Sequence, residues 1–209
     1  MNYKSFDKKT AYNNEKANKA VNFTFLNKNY CIENQTVLAG DSITEICNME
    51  LYSKYSEESG LKVYNRGISG DTSNRLLERF EENVLLLKPR NLVIMIGTND
   101  LSQKAEVGYV ADNIDKMISL SKKSNPDMNV VLQSVYPVVH TNKKKNEKIT
   151  QLNSLIKSIA DKYGILYLDI HSLLLDDKNG LNPKFTYDGL HPNVFGFDIV
   201  VKEIIPCLK

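Results

Sequence analysis

The 209-residue sequence predicts an α/β protein in which a mostly five-stranded parallel sheet lies between two layers of helices. Short apolar runs alternate along the chain with longer segments whose apolar residues recur at helical spacing. One run, Asn91–Ile96, is almost wholly apolar, as is typical of a central strand covered on both faces. Because strands that alternate with helices pair in parallel, the pattern predicts a three-layer α/β/α sandwich.

Five short segments are predicted to be strands. Each is rich in apolar residues, and each is followed by a helix or by a long loop. The predicted strands are Thr36–Gly40, Leu61–Asn65, Asn91–Ile96, Asn129–Val135 and Ile165–Ile170.

Five longer segments are predicted to be helices, because their apolar residues form one stripe at a period near 3.6. Pro89 stops the second of them, and Gly164 ends the fourth. The predicted helices are Ile43–Glu58, Thr72–Leu87, Val107–Leu120, Ile149–Tyr163 and Val194–Ile205.

We divide the chain into an N-terminal extension, residues 1–34, and one domain, residues 35–209. No repeat or Pro-rich linker divides the second part. Within the extension, Val21–Leu26 alternates apolar and polar residues. This pattern is typical of a half-buried edge strand, but an arm that packs on another subunit would fit equally well.

The composition is that of an ordinary globular protein, with 42% hydrophobic and 25% charged residues. A net charge of +2 is too small to indicate binding to nucleic acid or to an anionic membrane. No segment is long and apolar enough to span a membrane, and the polar N-terminus lacks the apolar run of a secretory signal. The three cysteines are an odd number without paired spacing, which fits a reducing compartment. We therefore expect a cytoplasmic protein.

Polar and glycine-rich blocks follow the predicted strands or precede the last helix. In an open parallel sheet, ligands bind at the carboxyl ends of the strands, so we expect these blocks to meet at one edge. The blocks are Gly40–Ile43, Gly67–Asp71, Gly97–Asp100 and Asp188–Pro192.

Together the blocks contain the groups that acyl transfer to water requires. Ser42 lies where a strand meets a helix, so its hydroxyl can project and the helix N-terminus favours negative charge. His191 is a suitable general base, and Asp188 lies three residues earlier, within reach of its imidazole. Gly70 can bring a backbone N–H close to a ligand, and Asn99 offers a side-chain N–H.

Each block alone has an ordinary structural explanation. A serine after a strand is usually a helix cap, and Gly–Asp and Asp–Gly pairs are usually turns. The coincidence of all the required groups at one sheet edge favours the catalytic interpretation. A non-catalytic flavodoxin-like binding module would have no reason to place an aspartate three residues before a histidine.

In this order, the blocks resemble the four signature blocks of the SGNH (GDSL-type) hydrolases, which are named for Ser, Gly, Asn and His. The resemblance runs from about Val37 to Val200, and its one departure is Ile43 in place of leucine in the first block. Gly67–Thr72 and Ser134–Pro137 resemble the acetylhydrolase-like branch, which includes bacterial relatives of platelet-activating-factor acetylhydrolases.

The resemblance implies a flavodoxin-like SGNH fold and a serine esterase mechanism without a metal or an organic cofactor. It makes Ser42 the nucleophile, His191 the base and Asp188 its orienting group. It assigns the oxyanion to the backbone N–H groups of Ser42 and Gly70 and to the side chain of Asn99.

Other polar residues compete for roles. His140 follows the fourth strand and could line the substrate pocket, although we favour a solvated loop histidine, and His171 is more easily explained as structural. Lys143–Lys145 could attract an anionic substrate, but a charge run is usually solvated loop. Three aspartates at strand ends could hold Mg²⁺, yet we favour turn-stabilising roles for all of them, namely Asp41, Asp71 and Asp100.

The function that these observations favour is hydrolysis of a short-acyl ester, most simply an acetyl ester of a carbohydrate or a similar polar alcohol. The alternative is a lysophospholipase or thioesterase acting on longer acyl chains. That activity needs an apolar groove, and no predicted loop displays one clearly. The natural substrate, a homo-oligomeric state and the role of residues 1–34 stay open.

Overall fold

The computed structural model describes residues 8–209, and the side chains of residues 14–209. Five strands form one parallel sheet in the order β2-β1-β3-β4-β5, which is the flavodoxin-like order. The predicted α/β fold is therefore confirmed. The strands are β1 (Thr36–Gly40), β2 (Val63–Asn65), β3 (Asn91–Met95), β4 (Asn129–Gln133) and β5 (Leu166–Leu168).

The strand register brings three of the polar blocks to one edge of the sheet. β1 and β3 pair along their whole length, so that Gly40 lies opposite Met95. On the other side of β1, Leu38 lies opposite Asn65, the last residue of β2. The segments that follow these three strands therefore emerge side by side.

Helices cover both faces of the sheet. The predicted last three helices are present, and Thr72 caps the second through its side chain, which accepts a hydrogen bond from the Arg75 N–H. The helices are α1 (Lys8–Asn29), α2 (Ser42–Glu45), α3 (Ser53–Ser59), α4 (Ser73–Glu78), α5 (Phe80–Asn83), α6 (Thr98–Ser102), α7 (Val107–Ser124), α8 (Lys143–Tyr163), α9 (Ile170–Leu173) and α10 (Val194–Ile204).

Two predicted helices are shorter than the periodicity indicates. The segment predicted as Ile43–Glu58 is interrupted, because the Asn48 side chain accepts from the Glu50 N–H and starts a separate 3₁₀ turn. The segment predicted as Thr72–Leu87 is divided into α4, α5 and a 3₁₀ turn. The prediction of a solvated loop at Lys143–Lys145 is wrong, since these residues form the first turn of α8.

Alternate strand residues point into two apolar layers, as the pleat of a covered sheet requires. Residues such as Val37 and Ile94 pack against α4, α5, α7 and α8. Their neighbours Leu38 and Val93 pack against α2, α3, α9 and α10 on the other face. Because both layers are closely packed, the sheet and the ends of its strands are held in fixed positions.

The edge strand considered for Val21–Leu26 is wrong, because these residues lie within α1. A face with helical spacing docks the helix on its own chain. Asn27 Nδ2 donates to the carbonyls of Glu82 and Asn83, and Asn83 Nδ2 donates back to Ala20 O and Thr24 Oγ1. These tertiary hydrogen bonds fit a 3.6-residue period and override the short alternating pattern.

No helix among residues 8–209 is long and apolar enough to cross a membrane. The three cysteines, Cys31, Cys47 and Cys207, are free thiols.

Candidate active site

Ser42, His191 and Asp188 form one chain of hydrogen bonds at the carboxyl edge of the sheet. Ser42 Oγ lies 2.9 Å from His191 Nε2, and His191 Nδ1 lies 2.6 Å from Asp188 Oδ2. Ser42 and His191 are 149 residues apart in sequence, so only the fold brings them together. The order hydroxyl–imidazole–carboxylate is that of an activated serine nucleophile.

Ser42 is the first residue of α2, directly after the end of β1. Asp41 caps this helix, since its Oδ1 accepts a hydrogen bond from the Ile43 N–H at 3.0 Å. The cap holds the strand-to-helix turn in which the Ser42 hydroxyl projects from the sheet edge.

The segment from Thr186 to His191 builds its own support for the imidazole. Asp188 Oδ1 accepts from the backbone N–H groups of Leu190 and His191, at 2.9 and 2.8 Å, while Oδ2 is left for the ring. Thr186 Oγ1 accepts from the Gly189 N–H and donates to the His191 carbonyl. Thr186 is a site residue that sequence reasoning missed, although its hydroxyl near an Asp–Gly turn was a usable signal.

The same contacts hold Asp188 in its ionised form. Burial acts to raise its pKa, but the hydrogen bonds from the His191 side chain and from the two backbone N–H groups lower the pKa to about 2. The carboxylate therefore keeps its negative charge next to the imidazole over the whole ordinary pH range.

Gly70 and Asn99 line the cavity that contains the Ser42 hydroxyl. Gly70 adopts a φ of 71°, a left-handed conformation that a glycine accommodates without strain. Asn99 Nδ2 lies 3.0 Å from the Asp71 carbonyl and 3.3 Å from Asp41 Oδ2, so its amide is held at the same sheet edge. The structure thus brings all five predicted site residues around one cavity.

The three aspartates considered as magnesium ligands each accept hydrogen bonds from other residues of the chain. Asp71 Oδ2 accepts from Arg79 Nε at 2.8 Å, and Asp100 accepts from the Ser73 N–H and hydroxyl. No cluster of potential metal ligands occurs within the described part of the chain. The turn-stabilising role is supported for Asp41, which caps α2 through the Ile43 N–H, whereas Asp71 and Asp100 join separate segments of the chain.

Asp41 is fully buried, and this burial raises its pKa to about 7 despite the hydrogen bond from the Ile43 N–H. The nearby carboxylates of Asp100 and Asp71 also raise the pKa, whereas His191 lowers it. Asp41 is therefore the acidic group of the site that is most costly to ionise.

The cavity at Ser42 has a volume of about 720 Å³ and is wider and more apolar than the sequence indicated. Apolar side chains from the segment after α2 and from the C-terminal part of the chain form its walls. Apart from Asp188 and His191, no charged side chain belongs to the described lining. The apolar lining residues are Ile46, Leu51, Leu190, Pro192, Val194 and Phe197.

His140 does not line this cavity. It lies in a separate depression of about 630 Å³ together with His171 and Lys143, and its Nδ1 lies 3.7 Å from Asp176 Oδ2. Within the lysine run, Lys145 Nζ donates to Ser102 Oγ at 2.6 Å. The less favoured alternative, that His140 lines the cavity at Ser42, is therefore wrong, and its partly exposed position in a turn fits the favoured loop histidine.

Fold and site together define an α/β/α hydrolase with a serine at the end of its first strand. Residues 38–199 match the GDSL-like Lipase/Acylhydrolase family, and the chain belongs to that family. This membership confirms the resemblance to the SGNH hydrolases. The family is one of lipases and acylhydrolases, so it favours hydrolysis of ester bonds over a non-catalytic binding module.

The curated relatives that are similar to this chain include one with a transferase name and one with an esterase name. An N-acylneuraminate cytidylyltransferase of Escherichia coli O18:K1:H7 (strain RS218 / NMEC) is 31% identical over 155 residues, which cover 71% of this chain and 36% of that protein. The chain thus spans about a third of that relative's length. An acetylxylan esterase of Geobacillus stearothermophilus is 27% identical over 158 residues, covering 71% of this chain and 72% of the esterase.

Among solved structures, a Streptococcus pneumonia protein described as a candidate platelet activating factor superposes with a TM-score of 0.85 at 23% identity. The superposition covers 96% of each chain. At this level of identity the likeness shows the fold alone.

Proposed function

We propose that the protein is a serine esterase that hydrolyses short-acyl esters, most simply acetyl esters, of a carbohydrate or a similar polar alcohol. The observation that carries the proposal is the continuous hydrogen-bond chain from Ser42 Oγ through His191 to Asp188. These three residues line a cavity that a substrate can enter from solvent.

In the first half of the proposed reaction, Ser42 Oγ attacks the ester carbonyl carbon while His191 Nε2 takes the hydroxyl proton. The new C–O bond gives a tetrahedral oxyanion. When this collapses, the bond to the alcohol oxygen breaks, and the imidazolium returns its proton to the leaving alcohol. Asp188 stabilises the imidazolium through Nδ1–H and itself stays ionised.

The second half repeats these steps with water. His191 takes a proton from the water, whose oxygen forms a bond to the acyl carbon, and the bond to Ser42 Oγ then breaks as the serine is reprotonated. One ester and one water thus give one acid and one alcohol. In both halves the oxyanion is held by the backbone N–H groups of Ser42 and Gly70 and by the Asn99 Nδ2 hydrogen that does not bond the Asp71 carbonyl.

The cavity supports an uncharged alcohol. An acetyl group fills only a small part of 720 Å³, so the alcohol occupies most of the space. The absence of lysine and arginine from the described lining disfavours an anionic substrate. The likeness to an acetylxylan esterase supports an acetylated sugar as the first substrate to test.

Esters with longer acyl chains are the second candidate, because the cavity walls are largely apolar. Ile46, Leu51 and Val194 would contact the methylene groups of such a chain, and each buried methylene contributes about 0.8 kcal/mol. This lining is the groove that the predicted loops did not display.

The test is hydrolysis of p-nitrophenyl esters from acetyl to palmitoyl, with Ser42→Ala as the control, followed by acetate release from acetylated xylo-oligosaccharides. We expect kcat/KM to peak at acetyl or propionyl. Ser42→Ala should lower kcat by about 10⁴-fold or more, because the nucleophile is lost.

Each outcome decides between the candidates. A peak at octanoyl or longer would replace the short-acyl proposal with the long-chain one. The proposed function would be refuted if Ser42→Ala stayed active, or if the wild-type protein hydrolysed none of the esters.

A further inference from the structure

The Gly67–Asp71 loop, which contains Gly70, is stabilised by residues that do not line the active-site cavity. The Ser69 N–H donates to Glu45 Oε2, and Lys19 Nζ of α1 contacts Glu45 Oε1. Glu45 is the last residue of α2, the short helix that begins at Ser42. One carboxylate therefore joins the N-terminal helix, the helix of the serine and the loop of Gly70.

The loop packs directly on α2 because residue 67 is a glycine. A Cβ at Gly67 would collide with the Glu45 backbone. Asn65 also joins the loop to α2. Its Nδ2 donates to the Thr44 carbonyl at 2.7 Å, and its Oδ1 accepts from the Gly67 N–H at 2.9 Å. The Glu45 carboxylate is thus placed within reach of a backbone N–H that it could not otherwise contact.

The bond to Ser69 fixes a tight turn. The Asp71 N–H donates to the Ile68 carbonyl at 3.1 Å, so Ser69 and Gly70 are the two central residues, and the positive φ of Gly70 is that of a type II turn. Two of the three N–H groups after Ile68 are engaged, one by Glu45 and one by Ile68 itself. The Gly70 N–H at the cavity lies between them, and its direction depends on both.

The charges of this connection are matched. Burial acts to raise the pKa of Glu45, but the contacts with Lys19 and Ser69 lower it below the usual value, so the carboxylate is ionised at neutral pH. Its side chain is one quarter exposed and that of Lys19 one third exposed. Without Lys19, a partly buried carboxylate loses the cation that contacts it and one of the groups that fix its position.

We propose that the Lys19–Glu45 pair positions the Gly70 N–H for the oxyanion, so that α1 completes the active site although it lies outside the residues matched by the family, 38–199. Lys19 and Glu45 are positioning residues, since neither lines the cavity. The inference rests on the proposed esterase function, because it requires an oxyanion that Gly70 binds.

The test compares Lys19→Met, Lys19→Arg and Glu45→Gln, with Lys28→Met as the control on the exposed surface of the same helix. The readouts are kcat and KM for p-nitrophenyl acetate and the inhibition constant of phenylboronic acid, whose tetrahedral adduct resembles the oxyanion. Loss of a whole oxyanion donor costs about 10²–10³-fold in kcat, so misplacement of one should cost about tenfold.

We expect Lys19→Met to lower kcat and to weaken boronate inhibition by about the same tenfold factor, with KM within about twofold of wild type. Lys19→Arg should restore both values to within about twofold, because it restores the charge. In the double variant with Glu45→Gln, the two effects should be non-additive.

A Lys19→Met protein that matches Lys28→Met in kcat and in boronate inhibition would overturn the inference while leaving the esterase function intact. The inference would also be overturned if Lys19→Met lowered kcat together with the melting temperature and Lys19→Arg restored neither. Should Glu45→Gln fail to fold, Lys19→Met decides alone, since its side chain is partly exposed. A wild-type protein without Ser42-dependent activity would refute both proposals.

Discussion

The two sides of the candidate active site are built in different ways. On the base side, most hydrogen bonds that hold Asp188 and His191 join residues at most five apart in sequence, and one bond from the Val139 N–H to the Gly189 carbonyl ties the turn to a distant segment. On the oxyanion side, the Gly67–Asp71 loop depends on partners that lie 24 and 28 residues away from the groups they bond, Glu45 and Asn99. The first is a local turn, and the second is an assembly of four segments.

This difference has a consequence for how each side responds to substitution. A local turn keeps its shape when distant residues change, so damage to it should affect chemistry without affecting stability. In an assembly of buried charges, a substitution that removes one group also changes the positions and energies of its neighbours. Such a substitution should therefore lower both stability and kcat.

Asp188→Asn should have the largest effect. Asn Oδ1 can still accept from the N–H groups of Leu190 and His191, but its amide faces His191 Nδ1 and favours the wrong tautomer. We expect kcat to fall about 10⁴-fold while the melting temperature stays within about 2 °C of wild type. Steady-state kinetics and calorimetry measure both, and a clearly lowered melting temperature would show that the turn is not self-supporting.

Asn99→Ala should have the next largest effect. It removes the side-chain oxyanion donor, so kcat should fall about 10²–10³-fold with KM little changed. Kinetics with p-nitrophenyl acetate measure this. A rise in KM at constant kcat would instead place Asn99 in ground-state binding of the substrate.

Arg79→Met tests whether the oxyanion side fails as an assembly. Arg79 bonds Asp71 Oδ2 at 2.8 Å and the Gly40 carbonyl at 3.2 Å, and its side chain is nearly buried. Loss of the cation removes the side-chain hydrogen bond from Arg79 to Asp71, so we expect a loss of about 3 kcal/mol in the free energy of unfolding and a lower kcat. Urea titration measures the first, with exposed Arg75→Met as the control, since it removes a charge near Asp71 but not this hydrogen bond. An unchanged kcat in the folded fraction would contradict the coupling.

Asp41→Asn should have the smallest effect for a change of one pH unit, and it concerns the pH dependence of stability. Because the folded pKa of Asp41 is about 7 and its ordinary value 3.8, the folded state binds more protons between these values. Asp41 therefore makes stability fall as pH rises through this window, by at most about 1.4 kcal/mol per pH unit. Urea titrations at several pH values should show a smaller decline for Asp41→Asn, and parallel curves would contradict the raised pKa.

Sequence reasoning worked best where the physical cause is local. The strand at Thr36–Gly40 has the predicted bounds, and the Asp188–His191 spacing alone indicated that the two side chains meet. Predictions from sequence failed where contacts with distant residues decide the local structure. Val21–Leu26 reads as a strand in isolation, but hydrogen bonds with Asn83 make it part of a helix, and Lys143–Lys145 reads as loop although the segment continues α8.

By itself, the sequence determined the α/β/α fold, the order of the polar blocks and the identity of the groups around Ser42, because periodicity, glycine placement and short spacings are properties of neighbouring residues. Only the tertiary structure decided how wide and apolar the cavity is, where His140 lies, and that Lys19 reaches the Gly70 loop through Glu45. These features are contacts between segments far apart in the chain, and their geometry exists only once the sheet has placed those segments side by side.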